Sequence, residues 1–214
     1  MPMGWGLAVA ALTACEPALN WREVRPAQAD GLVALFPCKP DAVQRDIVLP
    51  GLGDAVTLHL LSCEADGQRW VLSHLRVTDV ALVPQALRAL ASATRGNLEL
   101  ATRSAAAAHT PPTSQDGPSR TALRAVDHQV QASELPPLLV PRMTPQPEAR
   151  TWRFEAMRPG DGAGPGVPLS VTASHFSHGL TVFQASVWQA GEAASAHSGR
   201  EATITFLQGF HFPG

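Results

Sequence analysis

The chain reads as an α+β protein, a twisted antiparallel sheet of about six strands with helices packed on it. Three observations predict this. Apolar and polar residues alternate at period two in several stretches; Gly, Pro and Asp-Gly signals close those stretches as turns; and the period changes to helical spacing near residue 83 and again near the C-terminus.

The first strand is expected over residues 31–36, ended by Pro37 and Pro40, which cannot donate to a sheet ladder. A second extended piece spans residues 43–49, followed by a turn at Gly51 to Asp54 and a strong strand over 56–63. Asp66-Gly67 is a hairpin signal, so residues 69–75 return as an antiparallel partner. A helix is predicted over residues 83–94. Val83, Leu87, Leu90 and Ala91 share one face, Pro84 suits the first turn, and Gly96 supplies a stop.

Two Pro-rich loops are expected, near residues 105–119 and 135–147, with a strand over 121–131 between them. Trp152, Phe154 and Ala156 alternate with Arg153, Glu155 and Met157, the pattern of a half-buried strand. After a glycine-rich turn over 160–166, two strands over 169–176 and 180–188 meet around Ser177, His178 and Gly179 as a hairpin. Ser198 and Glu201 form a capping-box pattern, opening a last helix that carries Ala202, Ile204, Phe206, Leu207 and Phe210 as core anchors. Residues 31–214 thus suit one α+β domain.

Composition excludes some functions. Charged residues are 16% of the chain and the net charge is -2, too little field to hold nucleic acid or an anionic surface. Lys39 is the only lysine against fifteen arginines, and there is no tyrosine, which reads as compositional bias and carries no functional weight.

Catalytic motifs are missing. The chain has no Gly-x-Ser-x-Gly elbow, no phosphate-binding Gly-x-Gly-x-x-Gly or Walker loop, and no His-Glu-x-x-His. His175 and His178 are the one close histidine pair and the weak candidate for a metal. Their spacing suits a helix, but on a strand side chains three apart point to opposite faces, so no metal or other cofactor is expected. His59 and His74 could face each other across the Asp66-Gly67 hairpin, as ordinary sheet surface without a third ligand. No residue is assigned a catalytic role.

Leu12-Thr13-Ala14-Cys15 closes a short apolar run that begins near Gly4. An aliphatic residue, two small residues and a cysteine resemble the lipobox of bacterial lipoproteins. The resemblance implies a signal peptide over residues 1–14, a lipid on Cys15 and an N-terminal tether over 15–30. The run is shorter than the roughly 20 apolar residues a membrane span requires, so lipidation is the expected attachment. There is no Lys or Arg before Arg22, unlike the positive start of a secretory signal, and the true start is expected upstream. Glu16, not aspartate, follows the cysteine, and by resemblance to bacterial sorting this favours the outer membrane. With Cys15 lipidated, Cys38 and Cys63 remain as a pair in an oxidising compartment, and a disulfide between them is expected.

The order of elements is similar to the PsbP-like superfamily. The likeness is carried by the short strand entering Phe36-Pro37-Cys38-Lys39-Pro40, the long hairpin, the helix from Val83, the late strand from Gly179 to Ala185 and the closing helix through Thr205 to Phe210. It implies an α/β/α sandwich used as a scaffold for binding other proteins, generally without catalysis. The expectation is therefore a lipid-anchored envelope protein that binds an envelope protein partner or serves as an accessory subunit. A carrier of a small apolar ligand is the alternative, and an envelope hydrolase built from His175, His178 or nearby serines is another.

Overall fold

Alternation along the chain decides the architecture, because each strand that alternates must bury one face, and a strand buried on both faces must lie inside the sheet. The structure, a computed structural model, describes residues 18–107, 130–158, 166–191 and 197–214. Their order is β1 (Arg22–Val24), β2 (Ala34–Phe36), β3 (Asp41–Ile47), β4 (Val56–Ala65), β5 (Gln68–Arg76), a single 3-10 turn (Val80–Leu82), α1 (Val83–Ala107), β6 (Gln131–Leu135), β7 (Thr151–Arg158), β8 (Val167–His178), β9 (Thr181–Ala190) and α2 (His197–Gln208).

The fold is α+β and mostly sheet. Seven strands form one antiparallel sheet in the order β3-β4-β5-β9-β8-β7-β6, and β1 pairs with β2 in a small second sheet. β8 and β9 lie inside the sheet, and runs of consecutive residues in both are buried. β3 lies at one edge, and none of its residues is buried.

Register sorts the side chains into two layers. Leu61, Cys63, Trp70, Leu72, Phe176, Phe183, Ala185 and Val187 point to one face, where α2 and β2 cover them with Phe206, Phe210 and Phe36. Phe206 stands edge-on to both Phe36 and Trp70, with ring centroids 5.3 Å apart in each pair. Leu58, Leu75 and Val182, and further along Phe154, Val171 and Ala173, point to the opposite face toward α1. Helices therefore cover the sheet from both sides.

Cys38 and Cys63 are joined as a disulfide, Cα atoms 6.0 Å apart, tying the turn after β2 to β4. The end of the chain is fastened to its beginning as well: Val33 and His211 exchange backbone hydrogen bonds of 2.9 and 3.1 Å.

Several expectations are corrected. The main sheet has seven strands, close to the six expected, and a further pair forms the small second sheet. β2 lies within the strand expected over 31–36; β1 was not expected, and β6 opens where the predicted strand over 121–131 closes, residues 121–129 lying outside the described residues. The helix does not stop at Gly96 but runs to Ala107. Leu98 and Thr102 continue the buried stripe set by Val83, Leu87, Leu90 and Thr94, and that burial outweighs the roughly 1 kcal/mol a glycine costs inside a helix. α2 begins at His197, so Ser198 is within its first turn, not ahead of it, and ends at Gln208, before Phe210. Ile204 is 48% exposed and anchors nothing, whereas Phe206 and Phe210 are fully buried. Most of the expected loop over 105–119, and the turn over 160–166 apart from Gly166, lie outside the described residues.

Candidate functional site

Between α1 and the sheet the two layers do not meet everywhere. A cleft of about 880 Å³ opens along β4 and β5, and its cause lies in residue size. Ala93, Asn97 and Ala101 recur every four residues and line it from one flank of α1. Below them the strands present Ser62, Ser73 and Ser186. Short side chains opposite short side chains leave space that leucines would have filled. Leu58, Leu60, Val71, Leu98, Val171 and Trp188 give the cleft its apolar walls.

A polar row crosses its floor. Leu60, Ser73, Gln184 and His175 are successive register partners across β4, β5, β9 and β8. Thr94, from α1 above, donates to the Leu90 carbonyl at 3.2 Å, and its hydroxyl lies 3.0 Å from the Gln184 side-chain amide. His175 Nε2 meets the same amide group at 3.0 Å, and its Nδ1 lies 3.2 Å from the Arg150 carbonyl. Burial pushes the His175 pKa below its ordinary value, against the opposing pull of those two hydrogen bonds. Ser73 is only 3% exposed, and Ser170, also in the lining, has a buried hydroxyl without a hydrogen-bond partner.

Charge sits at the rim. Arg45, Arg69, Glu64, Asp66 and Arg158 line its edges, and Arg69 is held by Glu64 at 2.6 Å. A smaller cleft of about 350 Å³ lies on the other flank of α1, against Trp152 and Phe154, where Arg88 is paired with Glu148.

The predicted site residues are scattered. His175 and His178 lie on one strand in continuous register, so their rings leave opposite faces of the sheet. His178 packs on Phe212 with ring centroids 4.1 Å apart, and its Nδ1 lies 2.9 Å from the Arg142 carbonyl. The structure does not bring this pair together. It does bring His59 and His74 together: they are register partners, stacked at 4.8 Å. His74, however, is buried rather than on the sheet surface, and its Nε2 is an unsatisfied polar atom. Desolvation, and secondarily the neighbouring His59, lower its pKa to about 4, with Asp30 pulling the other way. Among the described residues no three His, Cys, Asp or Glu side chains are grouped to hold a metal ion. Cys15 lies outside the described residues, and no helix among them is long and apolar enough to cross a membrane.

No protein-family model matches the chain, and no curated protein does. Function therefore rests on the geometry of the site itself. The cleft was missed by sequence reasoning. Its signal was present in the four-residue spacing of Ala93, Asn97 and Ala101, a stripe of short side chains beside the stripe that packs.

Proposed function

We propose that the chain is a lipid-anchored cell-envelope protein, PsbP-like in fold, that binds a ligand in the cleft between α1 and the sheet and performs no chemistry on it. One observation carries this reading: a cleft of about 880 Å³ with apolar walls and a few neutral polar groups, the size and lining of a small-molecule site. The hydroxyls and amide within it orient a ligand. The titratable side chains stand at the rim, apart from His175, whose two ring nitrogens are already engaged. The Cys38–Cys63 disulfide accords with an oxidising compartment, and the lipobox-like Leu12-Thr13-Ala14-Cys15 supplies the anchor, facing the periplasm from the outer membrane.

The test is to isolate the protein from envelopes in mild detergent and weigh it intact by native mass spectrometry. A bound small molecule, lost when Ala93→Phe fills the cleft, is the expected result. A bare protein in every preparation overturns the binding reading. Replacing Cys15 with Ser should release the protein from the membrane while the disulfide still forms, and a Cys15→Ser protein that still pellets with membranes overturns the anchor.

A second reading, binding of an envelope protein partner, is favoured by β3. It is an edge strand of seven residues, exposed along all but the last, and Val43 on it is 59% exposed. Unpaired backbone groups along such an edge accept an added strand. Crosslinking in intact cells that maps a partner to β3 would support this reading, and crosslinks confined to other surfaces would remove it.

A further inference from the structure

We infer that the ligand is a single long acyl chain with an anionic head, lying lengthwise in the cleft with its head at Arg45 and its tail against Trp188. The inference rests on the binding reading above and adds the class of ligand and its direction.

Shape comes first. The β4 lining extends from Leu58 to Ala65, about 23 Å at the usual strand rise. That is a furrow the length of a long acyl chain. Apolar contact runs along it through Leu60, Val71, Leu98 and Trp188. Burying such a chain is favourable in proportion to its apolar area.

Direction follows from charge. At the Trp188 end the rim carries both signs in balance, Arg69 held by Glu64 and Arg158 offset by Asp66 near the hairpin, so that end has no net charge to hold an anion. At the opposite end Arg45 is the one charged residue of the lining, beside Ile47, Leu49 and Leu58. Arg45 has no anionic partner among the described residues. A carboxylate or phosphate there meets an unneutralised guanidinium, and guanidinium bonds to such anions are among the stronger hydrogen bonds.

Ser73 fixes the polar junction. Its register partner on β4 is Leu60, one residue pair along from Leu58, which faces Arg45. The Ser73 hydroxyl lines the cleft and can donate to a ligand oxygen. An oxygen near the head of the chain, just inside the Arg45 end, accepts that bond.

The experiment uses the full chain with its disulfide formed and stearate brominated in mid-chain, a contact quencher of indole fluorescence. Saturable quenching is expected, abolished in Trp188→Phe and in Ala93→Phe. Alanine 93 lies on an exposed flank of the helix, so a larger side chain there leaves the fold in place, as circular dichroism will show. Ser73→Ala should weaken binding about fivefold, the loss of one hydrogen bond. Arg45→Gln should weaken it and remove its salt dependence. Displacement by unlabelled stearate or by a stearoyl lysophospholipid tells a free carboxylate from a phosphate head.

Quenching that survives Trp188→Phe, or none at all in the folded protein, overturns the acyl-chain inference. If that occurs while native mass spectrometry still finds a molecule that Ala93→Phe expels, the cleft binds another class of ligand and the binding reading stands. If both fail, both fall.

Discussion

His175 and Gln184 face one another across β8 and β9, and their side chains meet at 3.0 Å beneath Thr94. The Arg150 carbonyl beside Nδ1 can only accept, so that nitrogen must carry a proton. Burial lowers the pKa of the ring and keeps it neutral, which leaves Nε2 as an acceptor. The Gln184 amide must then offer its NH2 to His175, the orientation related to the placed one by a half-turn of the amide. Nitrogen chemical shifts in solution should therefore report the Nδ1–H tautomer at neutral pH. The Nε2–H tautomer, or an imidazolium, would refute the arrangement.

His74 sets an acid limit. Its pKa is about 4 in the folded protein against 6.5 in the unfolded chain. Between those values the unfolded chain binds the extra proton, so stability is complete above pH 6.5 and declines as the pH falls toward 4. The contribution is about 2 kcal/mol after allowance for solvent. His74→Phe keeps the ring against His59 and Phe183 and removes the unsatisfied Nε2. Urea unfolding from pH 8 to pH 4 should show a flatter acid limb in this variant, and an unchanged limb would exclude His74 as its source.

Gly96 is the clearest site for stabilisation. A Cβ built there meets nothing within 4 Å, and the position lies inside α1. Gly96→Ala should raise stability by about 1 kcal/mol, read as a higher urea midpoint at constant slope. A loss of stability would mean that α1 does not continue through this residue.

Two residues of α2 separated by one turn-half should behave in opposite ways. Phe206 is fully buried among Phe36, Trp70 and Phe210, and Phe206→Ala should cost about 3–5 kcal/mol. Ile204 is 48% exposed, and Ile204→Ala should change stability by less than about 0.5 kcal/mol. Equal effects in thermal or urea melts would contradict the orientation of the helix.

The Cys38–Cys63 bond spans 25 residues of sequence. Its loss in a Cys38→Ser, Cys63→Ser double variant should lower stability by about 3 kcal/mol, on the chain-entropy account. Wild-type protein should match the variant once a reductant is added, and a reductant without effect on its midpoint would mean that the bond is not formed in solution.

Much of the sheet was legible because its strands alternate or end in strong turns: β4 and β5 lie within two residues of their predicted limits, around Asp66 and Gly67. The length of α1 was not, since Gly96 is a stop signal locally, and what overrides it is contact with strands dozens of residues away. β1 is too short to carry a period, and it exists through pairing with β2. The cleft is harder still. It depends on Ala93 and Ala101 standing opposite Ser62 and Ser73, four unremarkable small residues whose meeting is a property of the packed layers, not of either segment. His59 and His74 were legible as a pair because a hairpin fixes register, but the burial of His74 depends on packing with residues distant in sequence, Phe183 of β9 among them.

The place of β9 between β5 and β8 bears on how the protein is made. Of the large sheet, synthesis delivers β3, β4 and β5 first, as a meander whose inner edge has no strand to receive it until β9 emerges, with a sequence separation of 105 residues between Arg76 and its partner Thr181. Closure of Val33 on His211 comes later still. A chain built in this order can pack α1 on β4 and β5 early, but it cannot join the two halves of its sheet before β9 is made.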